Sequence, residues 1–549
     1  MAAATSLAST TAFKTVAVLG ASYGGARAAH ILAEGLPHGW RVVLVERNSH
    51  MNHLYVLPRY AVLPGHEHKA FIPYDNVFLP PALPGTPPRP AVQYPQERAL
   101  LLHATVVSLR EHELTLDKSF PEHGISDRTL HFDYLVYALG SHLPAPINLW
   151  GPVADEVEKG AVVDIVRGTK QGGVGWLKKF QKRVERASSV LVVGGGALGI
   201  QYATDIAEIY PTTRVTLLHS RPRLLPRFDE GMHTEILSTL SALNVCAVLG
   251  DRLDLASLDK AAERDGAERI VRTQSGREIR AELVLLCTGQ TPNTSLLREA
   301  FPNVVVADGP SKGMARVRRT LQIAEPVDDV PLEVASSSQA SASTSSVPEV
   351  PVTPAAEQPS DVSSPLTERE SVPAASPDEP ADEPEEAEET EEEPEPVEED
   401  PCTRVAAEHV FAIGDAADAF GAVNAGHNAF FQGEVAARNI IKLIKRSERS
   451  GSESDAPAAG AEPSPGAGAG EATAAEEDLE LQKYAPGEPA IKVSLGLTKS
   501  VYQFQGMIGV RDKEPADLDV HLIWRYFGHD VSREDLERAE AVEPETASA

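Results

Sequence analysis

Residues 190–199 read Val-Leu-Val-Val-Gly-Gly-Gly-Ala-Leu-Gly. An apolar run that stops on glycine and leads into helical spacing over Ile200–Ile209 predicts a buried strand, a tight turn and a helix laid back on the strand. Glycine has a separate reason at each of three positions: Gly194 permits the turn, Gly196 lets a pyrophosphate approach backbone N–H groups, and Gly199 allows close helix-to-strand packing. The helix N-terminus favours the negative charge. A further strand is expected over Arg214–Leu218. Beyond it, where an NADH-selective site carries an acid, the chain has His219, Ser220, Arg221 and then Arg223. Such donors suit a 2′-phosphate, so NADPH or NADH is expected here, with NADPH permitted.

A similar turn lies upstream. Strand-like Thr15–Gly20 runs into Gly20, Ala21, Ser22, Tyr23, Gly24 and Gly25, with small Ser22 at the middle position, before a helical pattern over Gly24–Ala33. Glu46 ends the next strand, Arg41–Glu46, where a carboxylate accepts from ribose hydroxyls. Two nucleotide sites in one chain suit a flavin and the nicotinamide that reduces it, so FAD is expected beside NADPH or NADH. Strand-to-glycine turns at Asp133–Gly140 and Ala281–Asn293 flank the second site. A strand over Val410–Ile413 ends in Gly414-Asp415, placing Asp415 to meet a flavin ribityl hydroxyl, with N–H groups near Ala425 and Gly426 facing the ring.

Other strand-like runs are Ala104–Leu109, Tyr134–Leu139, Val190–Val193, Val245–Leu249 and Leu283–Cys287. Their alternation with helical patterns such as Trp176–Glu185 implies parallel βαβ units and an α/β fold. Two Rossmann-like domains are expected, the first discontinuous and the second inserted in it, with a small C-terminal α+β module. The boundaries are 14–150 and 151–280, then 281–323 with 408–446, and finally 480–535. Segments 324–407 and 447–479 read as disordered, too poor in apolar residues to offset the cost of ordering. The formal charge of −30 is concentrated in the first of them. Glu325–Asp400 holds 24 acids and one base, leaving −7 for the rest, so neither a basic nucleic-acid face nor an evenly acidic surface is expected.

Six stretches in order carry a resemblance: Val-Leu-Gly-Ala-Ser-Tyr-Gly-Gly (18–25), Val-Val-Gly-Gly-Gly-Ala-Leu-Gly (192–199), Val-Thr-Leu-Leu-His-Ser (215–220), Leu-Cys-Thr-Gly (286–289), Phe-Ala-Ile-Gly-Asp (411–415) and Tyr-Ala-Pro-Gly (484–487). The chain resembles the apoptosis-inducing-factor-like and ferroptosis-suppressor-like flavoproteins of the pyridine nucleotide-disulfide oxidoreductase superfamily. The likeness covers Lys14 to about Leu321, His409–Ile444 and Tyr484 to about Phe527. It implies an FAD-dependent NAD(P)H oxidoreductase with a quinone-like acceptor, in which Arg59 contacts the flavin nucleotide and Val106 meets the adenine through its backbone. The rival expectation is a slow redox-sensing or death-signalling flavoprotein that uses its acidic tract as an interaction tail.

The chain departs from that pattern in having no Cys-x-x-Cys or Cys-x4-Cys. Its three cysteines, Cys246, Cys287 and Cys402, are far apart, and the first two read as inert core residues in a reducing, cytoplasmic setting. Asn424 stands where some relatives have lysine. Lys69 and the His50, His53, His66, His68 group read as surface, with no metal site. No secretory signal is expected in Met1–Phe13, and Ala2 argues against N-myristoylation. No transmembrane segment is expected, and peripheral contact with a membrane or lipid droplet stays open. No catalytic side chain is singled out, because orientation and electrostatics carry hydride transfer between cofactors.

Overall fold

A computed structural model of the chain describes residues 13–80, 97–149, 168–258, 268–327, 401–454 and 479–542. The first strand, β1 (Lys14–Leu19), is buried from its second residue onward, and helix α1 (Tyr23–Gly35) returns over it. Then come β2 (Trp40–Glu46), β3 (Ala99–His103) and β4 (Tyr134–Tyr137). The chain next forms helix α2 (Lys170–Arg186) and a second unit of β5 (Ser189–Val193), α3 (Ala197–Ile209), β6 (Arg214–His219), α4 (Glu230–Ala242), β7 (Cys246–Leu249) and β8 (Leu283–Leu286). It returns to the first sheet through β9 (Val410–Ala412) and the long helix α5 (Gly426–Ser454).

The first sheet has the order β9-β4-β1-β2-β3 and the second β7-β6-β5-β8, every pairing parallel. Near-continuous Val/Leu/Ile runs are what strands covered on both faces require. The expected α/β class is therefore present, and the chain comes back to the first sheet through β9, which pairs with β4. One boundary moves: β8 pairs with β5, so the second domain extends past residue 280 to at least Leu286. The crossover back to the first domain is a two-residue ribbon, Ser141–His142 antiparallel to Thr291–Pro292.

The expected strand Ala104–Leu109 is present as Val106–Arg110, and it is preceded by a strand not expected from the sequence, Ala99–His103. Ala99–His103 belongs to the parallel sheet, whereas Val106–Arg110 turns away and pairs antiparallel with Glu113–Leu116. Helix α5 also overruns the expected linker start at 447. The C-terminal module has three antiparallel strands, β10 (Ile491–Ser494), β11 (Ser500–Phe504) and β12 (Met507–Arg511), then α6 (Val520–Tyr526) and α7 (Arg533–Val542), ending later than 535.

The acidic segment has an ordered base. Ala324–Pro326 pairs antiparallel with Thr403–Val405, so Pro326 lies opposite Thr403, and Arg404 meets Glu325 at 2.9 Å. The expectations for 328–400 and 455–478 lie outside the described residues. Since the two ends already stand side by side, replacing 328–400 by a short Gly/Ser turn should leave flavin content and turnover unchanged. A loss of bound flavin on that exchange would show that the segment supports the fold.

Candidate functional site

The first cradle forms at the C-terminal ends of β1 and β2. Gly20 has φ of +89°, and a Cβ there would lie 2.5 Å from the Ala138 carbonyl oxygen; one on Gly25 would lie 1.8 Å from that of Gly20. Both positions are closed to any larger residue. Gly24 serves a different contact, since its Cβ would strike the Ala429 carbonyl oxygen of α5 at 2.5 Å, which lets the two helices touch. Ser22 caps α1 without a side-chain cap bond, and the first helical bond begins at Ala26, so N–H groups of the first turn remain to meet an anion. Glu46 accepts from the N–H of Ala21 and of Asn48, each at 2.9 Å. Burial raises its pKa, opposed by those backbone donors. Its position pairs with His103 in β3, and Val106, half-buried, begins the separate antiparallel strand that follows.

The second cradle repeats the arrangement. Gly194 has φ of +126°; a Cβ there would sit 2.0 Å from the Cys287 carbonyl oxygen, and one on Gly199 would sit 1.9 Å from that of Gly194. Gly196 is the contrast, with nothing within 4 Å of its would-be Cβ. The turn is thus shut against its own sheet and open in front of α3, as a pyrophosphate site requires. Gly195 escaped the sequence reading. A Cβ on it would meet His219 Cγ at 2.6 Å and Leu224 Cδ2 at 2.5 Å, and its N–H donates to His219 Nδ1 at 3.0 Å. Arg221 is exposed, but Arg223 donates to the carbonyls of Pro226 and Phe228 and so braces its own loop.

Asp415 lies in a short 3-10 turn after β9 and accepts from Ser141 Oγ at 2.7 Å; Ser141 also contacts Gln290. Burial raises the Asp415 pKa against that bond. Ser141 and Gln290 flank the interdomain ribbon, which Asn293 ties further by donating to the Leu139 carbonyl at 2.9 Å. A shallow recess beside Asp415, with room for little more than a water molecule, is lined by Ala419, Ala422 and Val423 together with Asn424, Asn428 and Gln432. The ring of Tyr23, from the first cradle, packs over Gly426. Asp415 and the first cradle therefore share one side of α5.

Arg59 does not join that cradle. Its side chain is 0% exposed, and Nε donates to Asp205 of α3 at 2.8 Å, while the other nitrogens reach the carbonyls of Gly496, Leu497 and Ala516. The guanidinium is committed to joining the first domain, α3 and the C-terminal module. Lys69, His50, His53 and His68 are likewise buried, contrary to expectation, and His66 is half-buried: Lys69 donates to His66 Nδ1 at 3.0 Å, and His53 lies 2.8 Å from the Tyr23 hydroxyl. No group of metal-ligating side chains occurs among the described residues. Cys287 is in the core as expected, and burial pushes its thiol pKa up; Cys246 is exposed on β7 rather than buried. No described helix is long and apolar enough to cross a membrane.

Residues 14–307, more than half of the chain, match the family of pyridine nucleotide-disulphide oxidoreductases. The chain belongs to this family. Over 531 residues it is 36% identical to Fe-regulated protein 8 of Mycosarcoma maydis, covering 95% of this chain and 96% of that protein. Human ferroptosis suppressor protein 1 is 26% identical over 311 residues, 56% of this chain and 70% of the relative. An FAD-dependent oxidoreductase of Flammulina velutipes is 26% identical over 256 residues, 47% and 65% of the two chains. Membership in the pyridine nucleotide-disulphide oxidoreductases makes FAD and NAD(P)H the cofactors and NAD(P)H oxidation the activity. The two glycine cradles fit such dinucleotides.

Proposed function

We propose that the first cradle holds FAD, the second holds NAD(P)H, and the chain reduces a quinone-like acceptor. Gly20–Gly25 would receive the FAD pyrophosphate, Glu46 its ribose hydroxyls, the Val106 backbone its adenine and Asp415 its ribityl chain. Gly194, Gly196 and Gly199 would receive the second pyrophosphate, with His219 and Arg221 at the ribose beyond. When bound, the flavin supplies hydride acceptance from the nicotinamide and electron release to a second substrate.

Cysteine chemistry carries the choice of acceptor. A relay through a protein disulfide needs two neighbouring thiols, and here Cys287 stands apart from Cys246 and Cys402, buried under Gly194 with burial pushing its thiol pKa up. Electrons then leave to a diffusible molecule. NAD(P)H and one solvent proton convert a quinone to a quinol, which balances without further reductant. The chain's part is to hold the reacting rings together and exclude water.

Steady-state oxidation of NADPH and NADH with a panel of soluble quinones tests the reading. Turnover within the usual range of roughly 1 to 1000 per second is expected with at least one quinone. Oxidation no faster than about one turnover per minute with every quinone would remove the enzyme reading.

A further inference from the structure

Ser141 stands on the ribbon between the domains, yet its side chain reaches Asp415 on the flavin side. We propose that Gln290 and Ser141 are positioning residues for the flavin: a one-way hydrogen-bonded chain, Gln290 Nε2 to Ser141 Oγ to Asp415 Oδ2, keeps Asp415 ionised and leaves its Oδ1 to accept from a ribityl hydroxyl. This rests on Asp415 being the ribityl ligand and deepens that reading.

The direction of the chain follows from its protons. Ser141 Oγ lies 2.7 Å from Asp415 Oδ2 and also touches the end of the Gln290 amide. A hydroxyl has one proton, so it donates to one neighbour and accepts from the other. Gln290 is exposed, and its amide turns over without strain to present the NH2 group. The opposite direction would need a proton kept on Asp415. Burial favours that proton, and the bond from Ser141 opposes it. A hydroxyl donating to a carboxylate makes a charge-assisted bond, and the amide behind it polarises the hydroxyl further. Among the described residues Ser141 is the hydrogen-bond partner of the Asp415 side chain, so Oδ1 retains its lone pairs.

Both ends of the chain are anchored. Ser141 pairs with Pro292 in the ribbon, the Asn293 N–H donates to the Gly140 carbonyl at 2.9 Å, and the Tyr137 hydroxyl donates to the Asn293 carbonyl at 2.5 Å. On the other side, the Gly414 N–H donates to Gln432 of α5 at 2.7 Å and fixes the backbone that carries Asp415. Gln290 follows β8 of the second domain, shortly past Cys287, whose carbonyl closes the second cradle under Gly194. The grip on the flavin thus reaches across the domain boundary.

Release of FAD from the purified full chain on dilution, read as the rise in free-flavin fluorescence, tests this without turnover. Ser141→Ala should loosen FAD at least about tenfold, the worth of one charge-assisted hydrogen bond. Ser141→Thr, which keeps the hydroxyl, should hold FAD as the unaltered protein does. Gln290→Glu offers Ser141 a second carboxylate and should draw its proton away from Asp415, loosening FAD. Gln290→Met removes the donor but leaves the Ser141 proton on Asp415, so its effect should be smaller. Equal effects of the two Gln290 variants overturn the proposal. So does a Ser141→Ala protein that binds FAD at full strength while Asp415→Ala releases it. Unchanged FAD affinity in Asp415→Ala overturns instead the assignment of Asp415 to the ribityl chain.

Discussion

Gly25→Ala is expected to yield a protein with less than about a tenth of the normal flavin. The added Cβ would stand 1.8 Å from the Gly20 carbonyl oxygen, and both partners are backbone in a turn that cannot yield. Overpacking of a tight site costs about 1–3 kcal/mol when side chains can shift, and more where only backbone can move. The expense falls on the turn that aims N–H groups at the pyrophosphate, so binding should fail before folding does. Gly199→Ala is the matched control, its Cβ 1.9 Å from the Gly194 carbonyl oxygen. That variant should retain its flavin colour and lose reduction by NAD(P)H. The pair of visible spectra, before and after NADPH, separates the two cradles. Equal flavin loss in both variants would argue against the proposed division of cofactors.

Arg59→Met should destabilise the protein by about 3–5 kcal/mol, the usual result of leaving one charge of a buried pair unpartnered. Both Arg59 and Asp205 are 0% exposed, and removal of the guanidinium also strands the carbonyls of Gly496, Leu497 and Ala516. A shift in the urea midpoint measures the loss. Combining Arg59→Met with Asp205→Leu should recover part of it, because the second change removes the orphaned carboxylate. Asp205 also has a pH signature. Burial pushes its carboxyl up to about 6 despite the Arg59 charge beside it. The folded state therefore holds that proton more tightly than the unfolded chain, whose aspartates titrate near about 4. This group's contribution to stability is fully present below about pH 4, falls as pH rises to about 6, and is level above. An unchanged midpoint for Arg59→Met would show that the pair carries no net stability.

Both glycine turns and the strands that feed them were legible in the sequence because each depends on neighbours a few residues away. Gly20, Gly25, Gly194 and Gly199 are needed by the turns in which they stand. The misread residues depend on distant ones. Lys69 and His68 look solvated in isolation, yet the Lys69 carbonyl accepts from Trp524 Nε1 and His68 Nε2 lies 2.9 Å from the Leu536 carbonyl. Segments from the far end of the chain bury them. Arg59 has the same history, its partners being on α3 and near residues 496–516. Cys246 fails in the opposite direction. It lies among apolar residues, but β7 is the last strand of its sheet, and the side chain at its first residue is left uncovered. Gly195 was passed over because its constraint comes from His219 and Leu224, beyond the reach of a local motif.

The antiparallel base formed by Ala324–Pro326 and Thr403–Val405 has an evolutionary consequence. A chain that leaves and re-enters the body at adjacent backbone positions can gain or lose residues between them without altering either cradle. Selection on cofactor chemistry is then blind to the length and composition of that stretch. Its strongly acidic character can drift, or answer to a separate demand, while the two cradles stay the same.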